Sequence, residues 1–211
     1  MRIEWDFDRH SRFIGSFSSG AVNGRAPTIE LNYPTIERWF RTRPRVQAMR
    51  RLTGLNFHEL GHALFTPSDV EGGLPDEGWF FNTLEDQRVE RLIIARYPDS
   101  RTCLEELLRS GDVLGAVLAH GRSYISSADR RFLDRQFARA YGGPALGALV
   151  DIIDTYVAFE PSTPREVLNA QAVRLHDLMV DVGAFVPRFD DTFDHVFFRA
   201  SRTHPERNHH E

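Results

Sequence analysis

The stretch Phe57-His58-Glu59-Leu60-Gly61-His62-Ala63-Leu64 holds two imidazoles and a carboxylate in the pattern His-Glu-x-x-His. On a helix, side chains four residues apart lie one turn above each other on the same face. His58 and His62 can therefore aim at one point, as two ligands of a tetrahedral zinc do. Glu59 falls beside that point, where its carboxylate can take a proton from an attacking water. A catalytic zinc needs one more protein ligand and an open position.

The carboxylates that qualify lie in Phe81-Asn82-Thr83-Leu84-Glu85-Asp86-Gln87-Arg88-Val89-Glu90. With Glu85 as origin and ~100° per residue, Phe81, Val89, Leu92 and Ile93 fall at ~320°, ~40°, ~340° and ~80°. Glu85 is thus expected inside the buried stripe of its helix, with Asp86 at ~100° and Glu90 at ~140°, progressively further out. A buried carboxylate must be neutralised, and zinc would do so. Glu85 is therefore the expected third ligand. Asp86 and Glu90 are expected around it, accepting the N–H of a ligating histidine and fixing its tautomer. The competing partner for Glu85 is a buried arginine, Arg50 or Arg88. Glu85 turned from the histidines, with an arginine as its neighbour, would end the peptidase reading.

These residues need a frame. Ile3, Trp5 and Phe7 alternate with acidic residues, and Thr28-Ile29-Glu30-Leu31-Asn32-Tyr33 alternates before Pro34. Both patterns predict half-buried strands. With the turn residues Ser18-Ser19-Gly20 and Asn23-Gly24 between, two or three strands joined by hairpins are expected. An exposed strand edge near the metal would suit an extended peptide. Val46, Met49, Leu52 and Leu55 lead into His58 and predict one helix over about 44–65, entered at Pro44. An irregular loop is expected over 67–78, then a helix from about Phe80 to Tyr97.

Thr102-x-x-Glu105, Ser126-x-x-Asp129 and Thr163-Pro164-Arg165-Glu166 read as helix starts. Four or five helices are expected over 102–183, broken at Gly142-Gly143-Pro144. The fold class predicted is α+β, mostly α: a small N-terminal sheet, the metal-bearing helix pair and a C-terminal helical bundle. Residues 1–100 form the expected core and 101–211 a helical region packed on it or extending it. The tail after Pro187, with Phe189, Phe193, Phe197 and Phe198 among aspartates, is expected to dock on the body.

The 211 residues carry a net charge of −4, which gives no hint of nucleic-acid binding. No stretch of apolar residues is long enough to span a membrane. The acidic start Met1-Arg2-Ile3-Glu4-Trp5-Asp6-Phe7-Asp8 predicts neither a secretory nor a transit signal. The single cysteine, Cys103, excludes an internal disulfide and a Cys-x-x-Cys site, so a reducing cytoplasm is expected. Every basic side chain is arginine, which excludes lysine chemistry. Arg38, Arg41, Arg43, Arg45, Arg50 and Arg51 crowd before the histidines, most simply as a solvated face.

The segments Leu55 to Thr66 and Asn82 to Glu90 together resemble the gluzincin-type metallopeptidase region of phage and bacterial proteins related to cobaltochelatase CobT. In that family a strand ending in Asn and Pro precedes a His-Glu-x-x-His helix, and an Asn-x-x-Glu-Asp-x-Arg-[Ile/Val]-Glu helix follows. Ile29-Glu30-Leu31-Asn32-Tyr33-Pro34 matches the strand loosely. The resemblance covers residues 25–97 and implies a zinc peptidase fold with Glu85 as ligand. Many relatives carry a von Willebrand A domain with Asp-x-Ser-x-Ser, a string this sequence lacks. A second resemblance is to the ImmA/IrrE type of repressor-cleaving peptidase, whose second motif this chain does not reproduce. The metzincin pattern is excluded, because its third histidine position is Ser68.

The expected activity is zinc-dependent hydrolysis of peptide bonds in intracellular protein substrates, with Glu59 as general base. Tyr97, His120, Tyr124, Tyr141, His176 and His195 are available as oxyanion donors, and spacing selects none. The alternative is a zinc-stabilised interaction module with a closed or unused pocket.

Overall fold

The structure, a computed structural model, describes residues 4–8, 15–18, 27–67, 75–108 and 116–184. The expected tail contacts after Pro187 lie outside these residues, as does most of the expected loop before residue 75.

The chain is mostly helical with a small N-terminal sheet, as expected. Strands β1 (Glu4–Asp8), β2 (Gly15–Ser18) and β3 (Thr28–Asn32) form a sheet in the order β1-β3-β2. β2 runs antiparallel to β3, but β1 runs parallel to it, with Trp5 opposite Ile29 and Phe7 opposite Leu31. The expectation of hairpins throughout is thus corrected for β1. The alternation of β3 is real, with Ile29 and Leu31 fully buried against Ile36, Trp39, Ala48 and Leu55. β1 shows the same alternation without the burial, since Trp5 and Phe7 stay 47% and 54% exposed. An edge strand has a neighbour on one side only, and period alone does not reveal that.

Helix α1 (Tyr33–Thr42) follows β3 directly, a helix that the expected strand end at Pro34 did not include. Asn32 caps it, its Oδ1 accepting from the Thr35 amide at 2.8 Å, and Pro34 occupies the first turn. Helix α2 (Arg45–Phe65) carries the histidines and ends at Thr66. Helix α3 (Pro75–Arg96) begins five residues earlier than expected. Helices α4 (Ser100–Leu108), α5 (Ala116–Ala119), α6 (Ser127–Tyr141), α7 (Gly143–Val157) and α8 (Arg165–Asp181) make up the helical half. Ser126 caps α6 as its sequence predicts, whereas Thr102 lies inside α4 and Pro164, not a threonine, precedes α8. Gly142 separates α6 from α7 at φ +95°, a conformation that glycine adopts without strain. No helix among the described residues is long and apolar enough to cross a membrane.

Helix α3 lies at the centre. It packs on α2 on one side and on α7 and α8 on another. The core cluster therefore runs from Phe80, Phe81 and Leu84 through Leu149, Ile153 and Tyr156 to Leu168 and Leu175. Two glycines let α2 approach its neighbours. A Cβ on Gly61 would meet Val89 and Ile93 of α3 at 3.0–3.3 Å. A Cβ on Gly54 would stand 2.3 Å from the Cys103 carbonyl oxygen of α4.

Gly54→Ala is expected to cost about 1–3 kcal/mol of stability despite its better helix propensity, because backbone must move. Gly147→Ala in α7, where a Cβ meets nothing within 4 Å, is expected to gain about 0.5–1 kcal/mol. Urea denaturation of the two variants checks both signs.

Candidate metal centre

The antiparallel meeting of α2 and α3 brings the histidines to one turn of α3. The two imidazoles lie edge to face with centroids 4.9 Å apart. His58 Nε2 lies 3.7 Å from Asp86 Oδ1, and His62 Nε2 lies 3.2 Å from the same oxygen. These three residues form the only group of metal-ligating atoms found within 4.8 Å of one another among the described residues.

Glu85 is not part of that group. Its side chain is fully buried, as its place on the helix predicts, but a guanidinium neutralises it. Arg88, equally buried, donates Nε to Oε2 at 2.8 Å and Nη2 to Oε1 at 2.6 Å. Thr66 Oγ1 donates to Oε1 at 2.7 Å, and Tyr156 of α7 donates to Oε2 at 3.0 Å. The structure thus groups His58 and His62 with Asp86 and not with the expected Glu85, and Glu85 on an arginine is the observation set to end the peptidase reading. The physical reason is that α3 is buried on almost every side. The fully buried Glu85 meets Tyr156 of α7 and Thr66 just past α2, whereas the partly buried Asp86 at the stripe's edge meets the histidines of α2.

The histidine tautomers follow from the outer contacts. His58 Nδ1 lies 2.9 Å from Glu90 Oε1 and donates there, which turns Nε2 toward Asp86. Glu90 in turn accepts from Arg122 Nε at 2.8 Å and from the Tyr124 hydroxyl at 2.8 Å. His62 Nδ1 lies 3.0 Å from Thr66 Oγ1, whose own proton goes to Glu85, so that nitrogen donates too. Glu85 thus acts on the site through Thr66. Each imidazole is oriented from behind, and both Nε2 atoms converge on one Asp86 oxygen, that of His62 within hydrogen-bond distance.

That geometry fits a zinc ion. At metal–ligand distances of about 2.0–2.1 Å, the edges of a ligand tetrahedron measure about 3.3–3.4 Å. The observed separations of 3.2 and 3.7 Å bracket that edge. The Asp86 side chain remains 28% exposed, which leaves solvent access on its side. Glu59, one residue from His58, is buried and makes no hydrogen bond or salt bridge to a described residue. Burial pushes its carboxyl pKa up, with Asp86 adding to the rise and the neighbouring His58 and His62 charges opposing it.

The charges around the site are strongly coupled. Burial alone would raise Asp86 and Glu90, yet both are held down at about 2. For Asp86 the depression comes from His58, the bond to His62 and Arg122, and for Glu90 from Arg122 and His58. Burial would lower His58, but Asp86 and Glu90 outweigh it and raise its pKa to about 9.

Thr66, Arg122 and Tyr156 were not singled out by the sequence. Tyr124 appears among the six possible oxyanion donors, and its hydroxyl is committed to Glu90. His195 lies outside the described residues. No signal in spacing could place Arg122 or Tyr156, which reach Glu90 and Glu85 from 32 and 71 residues away. Compared with known proteins, the chain matches no family model, no curated protein and no solved structure.

Because metal-free His58 keeps its proton up to about pH 9, zinc must displace that proton. Zinc affinity is expected to rise about tenfold per pH unit between pH 6.5 and 8.5. Competitive chelator titration measures this, and a flat profile would contradict the His58 assignment. Thr66→Val removes the bridge from His62 to Glu85 and is expected to weaken zinc binding about 10–100-fold with the fold intact. The same titration, with circular dichroism as control, checks it.

Proposed function

We propose a reading separate from the one that ended with Glu85: a zinc-dependent hydrolase acting on the peptide bonds of a polypeptide, with His58, His62 and Asp86 as ligands and Glu59 as general base. One observation carries the reading: both Nε2 atoms face one Asp86 oxygen while both Nδ1 atoms are already bonded elsewhere. A histidine pair meant only for ion pairing has no need of such matched orientation. The reading differs from the expected gluzincin arrangement in its third ligand, and it takes no support from Glu85 as a ligand.

A zinc ion held there would lower the pKa of a water toward ~7 and polarise a carbonyl. Glu59 then accepts the proton of the attacking water and passes it to the leaving amine. Its raised pKa suits this work, since a carboxylate that holds a proton more tightly is the better base near neutral pH. Glu90 and Thr66 keep the imidazoles in the ligating tautomer. Arg122, with Nη2 3.7 Å from Asp86 Oδ2, adds positive charge at the site's edge, where an oxyanion would be stabilised. The lone Cys103 accords with a reducing cytoplasm.

A second reading keeps the zinc and drops the reaction. It is favoured by the tight bracing of the site by Tyr156, Arg122 and Tyr124 from the helical half, which suits a structural ion equally well.

Glu59→Gln separates the two. The hydrolase is expected to keep one zinc per chain and to lose about 10²–10⁴-fold in cleavage of a peptide library. Wild-type protein that holds zinc and cleaves nothing supports the interaction module.

A further inference from the structure

The segment between α5 and α6 has two faces. Gly121 is anchored to α3, its amide donating to Gln87 Oε1 at 2.8 Å. Arg122 and Tyr124 then reach Glu90 behind His58. The Tyr124 ring also forms part of a cleft of about 600 Å³ with Arg101 and Glu105 of α4 and Arg130 and Arg131 of α6. Three guanidiniums against one carboxylate make that cleft net positive.

None of the three arginines is paired with a carboxylate among the described residues. Arg101 spends one donor on the Ser123 carbonyl at 3.0 Å, and Arg130 spends one on the Arg122 carbonyl at 3.1 Å. The Arg130 Nε is buried without a partner. Arg131 is exposed and makes no hydrogen bond to a described residue. Three guanidiniums thus line one cleft, two of them bonded only to backbone carbonyls, and an anion there would satisfy donors that the described residues leave open. The arginines of the run before the histidines are spread over two helices instead, and Arg51 there is stacked on Trp39 at 4.6 Å.

We propose that this cleft, joined to His58 through Tyr124 and Glu90, binds an acidic side chain of the polypeptide substrate. Who carries the carboxylate rests on the hydrolase reading; the anion site itself does not. A guanidinium and a carboxylate match as two parallel hydrogen bonds. Glu105 in the wall disfavours a dianion more than a single carboxylate, so phosphate is the poorer fit.

Isothermal titration of full-length Glu59→Gln protein at low salt tests this with three probes: end-blocked hexaglutamate, end-blocked hexaglutamine and inorganic phosphate. Hexaglutamate is expected to bind and hexaglutamine not to. Arg131→Ala is expected to weaken hexaglutamate about tenfold, and Glu105→Gln to tighten it, a gain that misfolding cannot produce. Hexaglutamate binding that is absent, or unchanged in both variants, overturns the proposal. Phosphate binding tighter than hexaglutamate overturns the carboxylate assignment. Binding at the cleft by a wild-type protein that cleaves no peptide supports the anion site and removes the hydrolase reading alone.

Discussion

Three carboxylates on one buried helix set the terms for the rest of the molecule. Glu85, Asp86 and Glu90 all lie on α3, and a charge taken out of water must be matched where it sits. Glu85 is matched by Arg88 on its own helix, and Glu90 by Arg122 from the segment before α6. Asp86 has only two imidazoles and a guanidinium held 3.7 Å away. The carboxylate with the weakest fixed countercharge is the one that faces the Nε2 atoms of two imidazoles. That is where the proposed cation would complete the balance.

The helical half is part of this balance. Tyr156 of α7 reaches Glu85, and the Glu160 carbonyl just beyond α7 accepts from Arg88 at 3.3 Å. Arg122 and Tyr124 hold Glu90. Each imidazole is therefore fixed through a chain of contacts that ends outside the first hundred residues: His62 through Thr66 and Glu85, His58 through Glu90. Burial raises the hydroxyl pKa of both Tyr124 and Tyr156, with the adjoining carboxylates adding to it, so both tyrosines stay neutral donors. A site braced from both sides in this way holds its geometry without the metal, which is what pre-organised ligation requires.

Much of this was legible in the sequence, for reasons that can be stated. The histidine helix follows from spacing, and its start at Pro44 and end before Pro67 follow from local backbone chemistry. The Ser126 cap and the break at Gly142 are equally local. Three features were not legible. The parallel pairing of β1 depends on a partner more than twenty residues away. The helix after Asn32 was hidden because the same Pro34 that ends a strand also suits a helical first turn. The place of Glu85 was not legible because depth in the stripe does not mean proximity to the histidines. On a helix surrounded by protein, depth says only that a carboxylate needs a partner, and Arg88 three residues on was that partner for Glu85.

X-ray diffraction at the zinc absorption edge, from crystals of full-length protein grown with zinc, tests the central claim most directly. The account predicts one anomalous peak about 2.0–2.2 Å from His58 Nε2, His62 Nε2 and an Asp86 oxygen, with Glu85 still on Arg88. A peak ligated by Glu85, or none between the two histidines, would contradict it.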